Sequence, residues 1–297
     1  MERVDVIDEI PSNVYSYKRY QGRPFHLITP GNVRDQLQLF SEFQCREDDV
    51  ILCTFPKSGS HWVYNTVQML RSGKLTYSGT PLVADFEDLE LISRMETPRT
   101  FLTHLTFPLI PTDVKKGVPK VIFVSRNPKD VLVSYFHFID NMINTAFEGD
   151  FNFFMKFFLS EEFFSSGASW CTYMKEWTNG TIRFPEMRIL SLRYEDFKKD
   201  TFGCIVKLAE FLEVKRSVTF LGEVEKNITF EHLKKGHARI RGESDRWSVV
   251  DKHGRVPIYR KGKIGDWKNM FTVAQNDYFN AIYKEKMEGY DIVFEYE

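Results

Sequence analysis

A short apolar run that ends in a turn of small residues constrains the fold of this chain more than any other feature. Residues 50–54 read VILCT, and the turn FPKSGS follows before a helical pattern begins. A β-branched, apolar run bounded by proline and glycine is typical of a buried parallel strand. Apolar residues then recur with helical spacing at Trp62, Val63 and Val67. The pattern predicts a strand, a tight turn and a helix, which is the repeating unit of α/β folds.

The same alternation continues along the chain. Further strands are predicted at residues 100–105, 121–124 and 188–192. Helical patterns occupy residues 60–71, 127–138, 151–160, 168–178, 202–213 and 275–288. Strands that alternate with helices favour a central parallel sheet with helices on both faces. Since the sequence shows no linker and no internal repeat, it predicts a single α/β domain over residues 1–297.

One segment departs from this pattern. Residues 236–257 are polar, contain three glycines and show little periodicity. Loops of this length in compact domains usually have a function, so we expect a surface loop that acts as a lid.

The charge balance limits the classes of partner. The chain has 40 basic and 41 acidic residues, a net charge of −1 that gives no bulk attraction to nucleic acid or to an anionic membrane. Its longest apolar runs, such as residues 121–124, are too short to span a bilayer. The N-terminal residues MERVDVIDEIPSN lack the apolar core of a secretory signal, so we expect a cytoplasmic protein. Any anionic ligand must therefore be bound by positive charge placed locally.

The turn at residues 54–62, TFPKSGSHW, is the strongest local signal for a binding site. A small-residue turn that leads into a helix presents backbone N–H groups where the helix dipole favours an anion. Lys57 adds a positive charge, and two serine hydroxyls add donors. A plain turn with a solvated lysine is the alternative. Because the lysine precedes Ser-Gly, the turn is not a Walker A loop, which makes a kinase or nucleotide hydrolase less favoured.

Two further basic positions and one histidine complete the candidate site. Arg126 follows a predicted strand at the sheet edge where α/β folds bind ligands, although pairing with Asp130 is an equal alternative. The cluster RKGK at residues 260–263, taken alone, is typical of a solvated surface. His104 ends another predicted strand, so a parallel sheet brings it to the same edge as Lys57. It is a candidate general base, with a structural role as the alternative.

These residues lie in segments that resemble the cytosolic sulfotransferase family. The segments are TFPKSGSHW, the THL at residues 103–105, VSRNPKDVLVSYFHF, LRYEDF and IYRKGKIGDWKNMFTVAQND, in order along nearly the whole chain. The resemblance implies a P-loop-like α/β fold that binds 3′-phosphoadenosine 5′-phosphosulfate (PAPS) without a metal. It also implies sulfuryl transfer to a hydroxyl or amine of a small, largely apolar acceptor such as a phenol, monoamine or alcohol.

The resemblance assigns a role to each matching residue. Lys57 neutralises the bridging oxygen as its bond to sulfur breaks, and His104 takes the acceptor proton. Trp62 packs on the adenine, while Arg126, Ser134 and residues 260–262 bind the 3′-phosphate. The implied PAPS-binding residues are Lys57, Ser58, Gly59, Ser60, His61, Trp62, Arg126, Ser134, Tyr194, Ile228, Thr229, Phe230, Arg260, Lys261 and Gly262. The implied acceptor-binding residues are Phe25, Phe138 and His104.

The sequence departs from the family pattern in ways that keep other functions open. Leu102 stands where many members have a lysine near the reacting groups. A catalytically weakened protein that binds PAPS or adenosine bisphosphate is therefore one alternative, and a nucleotide or small-molecule kinase is another. A homodimer is implied through four residues that match the family's dimer motif except for an aspartate in place of the final glutamate. They are Lys268, Thr272, Val273 and Asp277.

The acceptor side is the least defined part of the candidate site. Among the 27 phenylalanines, the run between Phe151 and Phe164 fits either an aromatic acceptor slot or a buried helix face. Asp140 lies where it could meet the ammonium of an amine, with a solvated aspartate as the alternative. The sequence does not decide between these interpretations.

Overall fold

The secondary structure alternates between strand and helix along most of the chain. The computed structural model describes residues 2–7, 14–26, 32–141, 147–163, 167–239 and 258–297. The strands are β1 (Glu2–Ile7), β2 (Val14–Tyr20), β3 (Arg23–Phe25), β4 (Val50–Thr54), β5 (Thr100–Thr103), β6 (Lys120–Ser125), β7 (Phe147–Glu148) and β8 (Arg188–Arg193). The α-helices are α1 (Val33–Ser41), α2 (Ser60–Ser72), α3 (Leu89–Ser93), α4 (Thr112–Lys115), α5 (Pro128–Asp140), α6 (Phe151–Leu159), α7 (Trp170–Arg183), α8 (Tyr194–Lys199), α9 (Thr201–Phe211), α10 (Val218–Asn227), α11 (Phe230–Arg239) and α12 (Val273–Lys286). None of the helices in these ranges is long and apolar enough to cross a membrane.

The central sheet has the strand order β5-β4-β6-β8, and all of its pairs are parallel. Every residue of β4 and β6 is buried, as expected for strands covered on both faces. The expected single α/β domain with a central parallel sheet is thus confirmed. Because the strands are parallel, their carboxyl ends meet at one edge, and the turns after β4, β5 and β6 lie there together.

Two apolar layers enclose the sheet. Successive strand residues point to opposite faces, so Ile51 and Cys53 enter one cluster while Leu52 enters the other. The larger cluster packs β4 and β6 against α5, α6 and α7. The second packs the opposite face against α2, α9 and α10. The helices therefore cover both faces and leave the carboxyl edge of the sheet for the site.

A small antiparallel sheet near the N-terminus was not predicted from the sequence. It has the order β1-β2-β3, with β7 also paired to β2. The turn between β2 and β3 uses Gln21 and Gly22, both at positive φ of 50° and 74°. Such a turn suits a two-residue hairpin, but the charged residues of YKRYQGR hide the strand pattern. The hairpin carries the chain from Phe25 in the core to His26 at the site.

The first four residues of the expected lid loop are helical. Residues 236–239 belong to α11 and are not loop, since the helix continues to Arg239. Leu233 is the one buried residue of α11, so the sequence there has almost no apolar periodicity to reveal a helix. Residues 240–257 lie outside the described part of the chain.

The phenylalanine run forms core. Phe154 and Phe163 are fully buried in the larger cluster, and the rings of Phe55 and Phe163 stack with centroids 6.2 Å apart. The buried side chains of α6 join the same cluster. Phe164 lies outside the described residues. Of the two interpretations, the structure supports a buried helix face.

Candidate active site

A cavity of about 620 Å³ opens at the carboxyl edge of the central sheet. The turns after β4, β5 and β6 all contribute to its wall, as do α5, α8 and the segment after residue 257. Most of the residues singled out from the sequence line it. They are Lys57, Gly59, Ser60, His61, Trp62, His104, Arg126, Ser134, Phe138, Tyr194, Ile228, Thr229, Phe230, Arg260, Lys261 and Gly262. Ser58 and Phe25 are not among the described lining residues.

The turn between β4 and α2 takes a backbone path that few residues tolerate. Lys57 has a φ of 70° and Gly59 a φ of 102°, both in the left-handed region. A Cβ on Gly59 would lie 2.8 Å from the ring of Tyr194, so this position has no room for a side chain. Gly59 is also the N-cap of α2, and it makes no side-chain cap. The turn therefore presents its backbone and the first turn of α2 toward the cavity.

Several buried polar atoms around this turn have no protein partner. In the described ranges no hydrogen-bond partner reaches Ser58 Oγ, His61 Nδ1, Trp62 Nε1, Arg126 Nε or Arg260 Nε. Ser58 itself is fully buried behind the lining residues. Buried polar atoms in folded proteins nearly always have a partner, because leaving them unpaired costs about 1–3 kcal/mol each. Their concentration at one cavity fits a polar ligand with several acceptor atoms.

Arg126 connects the turn between β4 and α2 to the basic cluster at residues 260–263. Its guanidinium donates to the carbonyl oxygen of Lys57 at 3.2 Å and to that of Lys263 at 3.1 Å. It also lies over the ring of Tyr194, 4.3 Å from the centroid. The expected contact with Asp130 exists as well, at 3.5 Å. Arg126 is thus both paired and part of the cavity wall, and the two interpretations of this residue do not exclude each other.

Asp130 and Asp266 explain why the basic cluster at residues 260–263 reaches the cavity. The Asp130 carboxylate accepts from the backbone N–H groups of Gly265 and Trp267, at 2.9 and 3.1 Å, which attaches that segment to α5. Asp266 pairs with Arg260 at 2.6 Å and with Lys261 at 2.8 Å. Burial raises the pKa of Asp266, but hydrogen bonds from Lys261, Asn269 and Arg260 outweigh it and bring the pKa to about 2. The carboxylate is therefore ionised and orients both cations.

Two neighbouring cations, Arg126 and Arg260, repel the charge of Lys57. Its Nζ lies 4.0 Å from the ring centroid of Phe138. Burial, followed by repulsion from Arg126 and Arg260, lowers the pKa of Lys57 to about 7. A bound anion would relieve this repulsion and restore the charge on Nζ. The site is thus arranged for a ligand that carries negative charge.

The ring of His104 is oriented by the backbone of the neighbouring strand. Its Nδ1 lies 2.7 Å from the carbonyl oxygen of Thr54. Because a carbonyl oxygen only accepts, Nδ1 carries the proton and Nε2 is the nitrogen able to take another. Burial is the largest influence on the pKa of His104 and lowers it, while Asp85 and the bond to Thr54 raise it and Lys57 lowers it further. The net shift is downward, so the ring is neutral at pH 7 and suited to act as a base.

Several aromatic rings lie beside the first turn of α2. The Trp62 ring packs against Phe197, with centroids 4.3 Å apart, and contacts Tyr194 edge to face, with centroids 5.5 Å apart. Phe230 stands near Tyr259, which the sequence analysis did not single out. A Cβ on Gly262 would lie 2.6 Å from the Phe230 ring, so glycine is required where the chain passes. Trp62, Tyr194 and Phe230 all line the cavity, where an aromatic ring can stack on a planar heterocycle.

The opposite wall is apolar and differs in one residue from the expectation. Phe86, Tyr135 and Phe138 line it, and the ring centroid of Phe86 is 6.4 Å from that of His104. Phe25 is buried in the core, while the next residue, His26, lines the cavity. His26 follows the last residue of β3, where the chain passes from the core to the cavity. Burial, with Lys18 adding to it, lowers the pKa of His26 to about 3, so this ring is neutral.

Two other expected features lie away from the cavity. Leu102 is fully buried in the second core cluster, and Asp140 is exposed at the end of α5.

The residues of the proposed dimer motif come directly after the segment that is hydrogen-bonded to Asp130. Thr272 caps α12 and Val273 is 79% exposed, while Lys268 pairs with Glu297 at 2.6 Å. The motif thus lies at the surface, and the dimer stays a prediction.

Comparison with known proteins is consistent with this geometry. Residues 47–291 match the family described as the sulfotransferase domain. An amine sulfotransferase of Oryctolagus cuniculus is 30% identical over 87% of this chain and 87% of its own length. Cytosolic sulfotransferase 1 of Danio rerio is 33% identical over 85% of this chain and 87% of its own. The crystal structure of mouse sulfotransferase SULT7A1 complexed with PAP superposes with a TM-score of 0.74, at 26% identity, over 93% of this chain and 96% of that one.

Proposed function

This chain belongs to the sulfotransferase family, and on that premise we propose that it transfers the sulfuryl group of PAPS to a hydroxyl of a small, largely apolar acceptor. His104 acts as the general base and Lys57 as the cation at the breaking bond. The observation that carries the proposal is that one cavity joins a lysine in an anion-binding turn to a neutral histidine beside an apolar wall.

The residues of the cavity fit PAPS as the donor. PAPS carries a 5′-phosphosulfate and a 3′-phosphate on one nucleoside, and the cavity is lined by the cations Lys57, Arg126 and Arg260 together with aromatic rings. Lys57 and the turn into α2 suit the phosphosulfate, while Arg126, Ser134 and Arg260 suit the 3′-phosphate. The unpartnered Trp62 Nε1 and Arg126 Nε, both on residues that line the cavity, gain acceptors from such a ligand. The mouse relative, whose structure contains PAP, supports the same class of donor.

The transfer needs positioning and charge relief from the protein. PAPS supplies the sulfuryl group and leaves as adenosine 3′,5′-bisphosphate (PAP). His104 Nε2 takes the acceptor proton while the acceptor oxygen forms its bond to sulfur. As the bond from sulfur to the bridging oxygen breaks, its electron pair stays on the 5′-phosphate. The Lys57 ammonium and the backbone N–H groups of the turn stabilise that charge.

The apolar wall favours a hydroxyl acceptor. Phe86, Tyr135 and Phe138 offer ring faces to an aromatic or aliphatic body. The carboxylates among the described lining residues are Glu225 of α10 and Glu231 of α11, which neighbour the proposed PAPS-binding residues Ile228 and Phe230 in the sequence. Asp140 is exposed outside the cavity. Phenols and alcohols are therefore favoured over monoamines. We place the enzyme in the cytoplasm, as the name of the Danio rerio relative indicates for that protein, and expect a homodimer through the surface at Val273.

A transfer assay with sulfur-labelled PAPS tests the proposal. Purified protein in a buffer with a chelator is offered phenols, alcohols, monoamines and steroids, and labelled products are separated. We expect label on phenols or alcohols at an undiminished rate in chelator. A kinase would instead need ATP and magnesium. A weakened binding protein would bind PAP without producing any labelled product, and either result would overturn the proposal.

A further inference from the structure

A buried carboxylate stands behind His104 and has no part in the reaction described above. Asp85 is 4% exposed. Its Oδ1 and Oδ2 accept from the backbone N–H of His104 at 3.1 and 3.0 Å. The hydroxyl of Thr103 donates to Oδ1 at 2.6 Å. The carboxylate is thus fixed against the peptide that carries the catalytic ring.

The backbone holds Asp85 in this position. The segment before it runs beside β5 as a short parallel extension, with Val83 bridged to Leu102. Leu102 donates its N–H to the carbonyl oxygen of Leu82 at 2.9 Å, and Ala84 donates to that of Leu102 at 2.8 Å. Two consecutive hydrogen bonds to the same strand leave Asp85 little freedom to move away from His104. The Asp85 carboxylate is therefore held against the peptide of that histidine.

The Asp85 carboxylate matters in the reaction because His104 becomes positively charged. When His104 takes the acceptor proton, a neutral buried ring becomes a cation. Burial and the nearby Lys57 both oppose that change, whereas the Asp85 carboxylate and the Thr54 carbonyl favour it. Leu102 stands where many family members have a lysine, so a second opposing cation is absent from this strand. The balance at His104 then depends on one fixed carboxylate.

We propose that Asp85 is a positioning residue that fixes the peptide of His104 and stabilises the imidazolium formed as the acceptor loses its proton. The inference rests on the proposed role of His104 as the base. A general base contributes more when the proton is harder to remove, so the dependence on Asp85 grows with the pKa of the acceptor hydroxyl. Weakly acidic alcohols and simple phenols need Asp85 most, and an acidic nitrophenol needs it least.

The variant Asp85→Asn tests this, because it keeps the shape and removes the charge. We expect kcat/KM for a weakly acidic acceptor to fall on the order of 10- to 100-fold, and that for a nitrophenol to fall much less. The pKa of His104 decreases without the carboxylate, so the acidic limb of the pH profile moves to lower pH. The Kd of PAP is expected to stay unchanged, since Asp85 does not line the cavity.

Matched variants separate charge from structure. Thr103→Val removes a hydrogen bond to Asp85 but keeps its charge, so it should change all acceptors by one small factor and leave the pH limb in place. Asp85→Glu keeps a carboxylate and should retain the pH limb of the wild type. If Asp85→Asn does not fold, as judged by thermal unfolding, Asp85→Ser is measured in its place. Loss by an equal factor on every acceptor, with an unmoved pH limb, would overturn the proposal.

A double variant distinguishes this failure from failure of the proposed function. In the His104→Ala background, Asp85→Asn should cause no further loss, because its effect passes through the ring. Near-normal transfer by His104→Ala alone would reject His104 as the base. An inactive His104→Ala together with an additive effect of Asp85→Asn would reject only the role of Asp85.

Discussion

The two sides of the cavity are built in different ways. The proposed donor side consists of short continuous segments, residues 54–62 and 260–263, which combine glycines with positively charged side chains. The proposed acceptor side consists of single aromatic residues from separate elements, such as Phe86 before α3 and Phe138 in α5. A segment that binds phosphate through its backbone leaves a recognisable sequence. An apolar wall uses the same residue types as the core, so its sequence does not distinguish it.

The largest expected effect comes where the two sides meet. His104→Ala removes the group that takes the acceptor proton, so we expect turnover to fall on the order of 10²–10⁴-fold. Steady-state kinetics with labelled PAPS measures the loss, and the Kd of PAP serves as the control for an intact donor side. Near-normal turnover would show that His104 does not take the acceptor proton and does not connect the donor side with the acceptor side.

Arg126→Ala should damage the donor side alone. The guanidinium is nearly buried and binds two backbone carbonyls around the cavity, so its loss is expected to weaken PAP binding on the order of 10- to 100-fold. Arg94→Ala is the matched control, because Arg94 is 73% exposed and pairs with Glu90 on the surface. Calorimetric titration with PAP measures both. Equal affinities in the two variants would contradict the assignment of Arg126.

The affinity of the donor side for PAP should depend on pH through Lys57. Only the charged form of Lys57 favours an anion, and its pKa in the free protein is about 7. Above that pH the lysine must regain a proton on binding, so the Kd of PAP should rise by up to about tenfold per pH unit. Lys57→Met should flatten this rise and also lower turnover. A Kd that is independent of pH in the wild type would show that Lys57 does not contact the anion.

The smallest effect is expected on the acceptor side. Phe86→Leu should change the acceptor KM a few-fold and leave the Kd of PAP unchanged, since the smaller apolar side chain removes only part of an apolar contact that contributes about 1–3 kcal/mol. Phe154→Leu is its counterpart in the core, where the ring is fully buried. That variant should lower the free energy of unfolding by about 1 kcal/mol and leave both ligands unaffected. The same result for both variants would remove the distinction between wall and core.

The sequence predicted what depends on local pattern. The strands of the central sheet, the turn at residues 54–62 and the helices around them agree with the structure, because their periodicity and turn residues are strong. The N-terminal hairpin was missed because charged residues interrupt its strand pattern. Helix α11 was missed because it has a single buried leucine and therefore almost no apolar periodicity. Phe25, expected at the acceptor, is buried in the core, and the next residue, His26, lines the cavity instead. The contribution of Asp85 had no local signal, because its partner His104 lies 19 residues away, after the end of β5.

The central claim is that donor and acceptor meet in this cavity, between Lys57 and His104. A crystal structure of the complex with PAP and a phenolic acceptor tests it most directly. We expect the 5′-phosphate at Lys57 and the turn into α2, the 3′-phosphate at Arg126 and Arg260, and the acceptor oxygen about 3 Å from His104 Nε2. A PAP molecule bound away from the turn, or an acceptor whose hydroxyl does not approach His104, would contradict it.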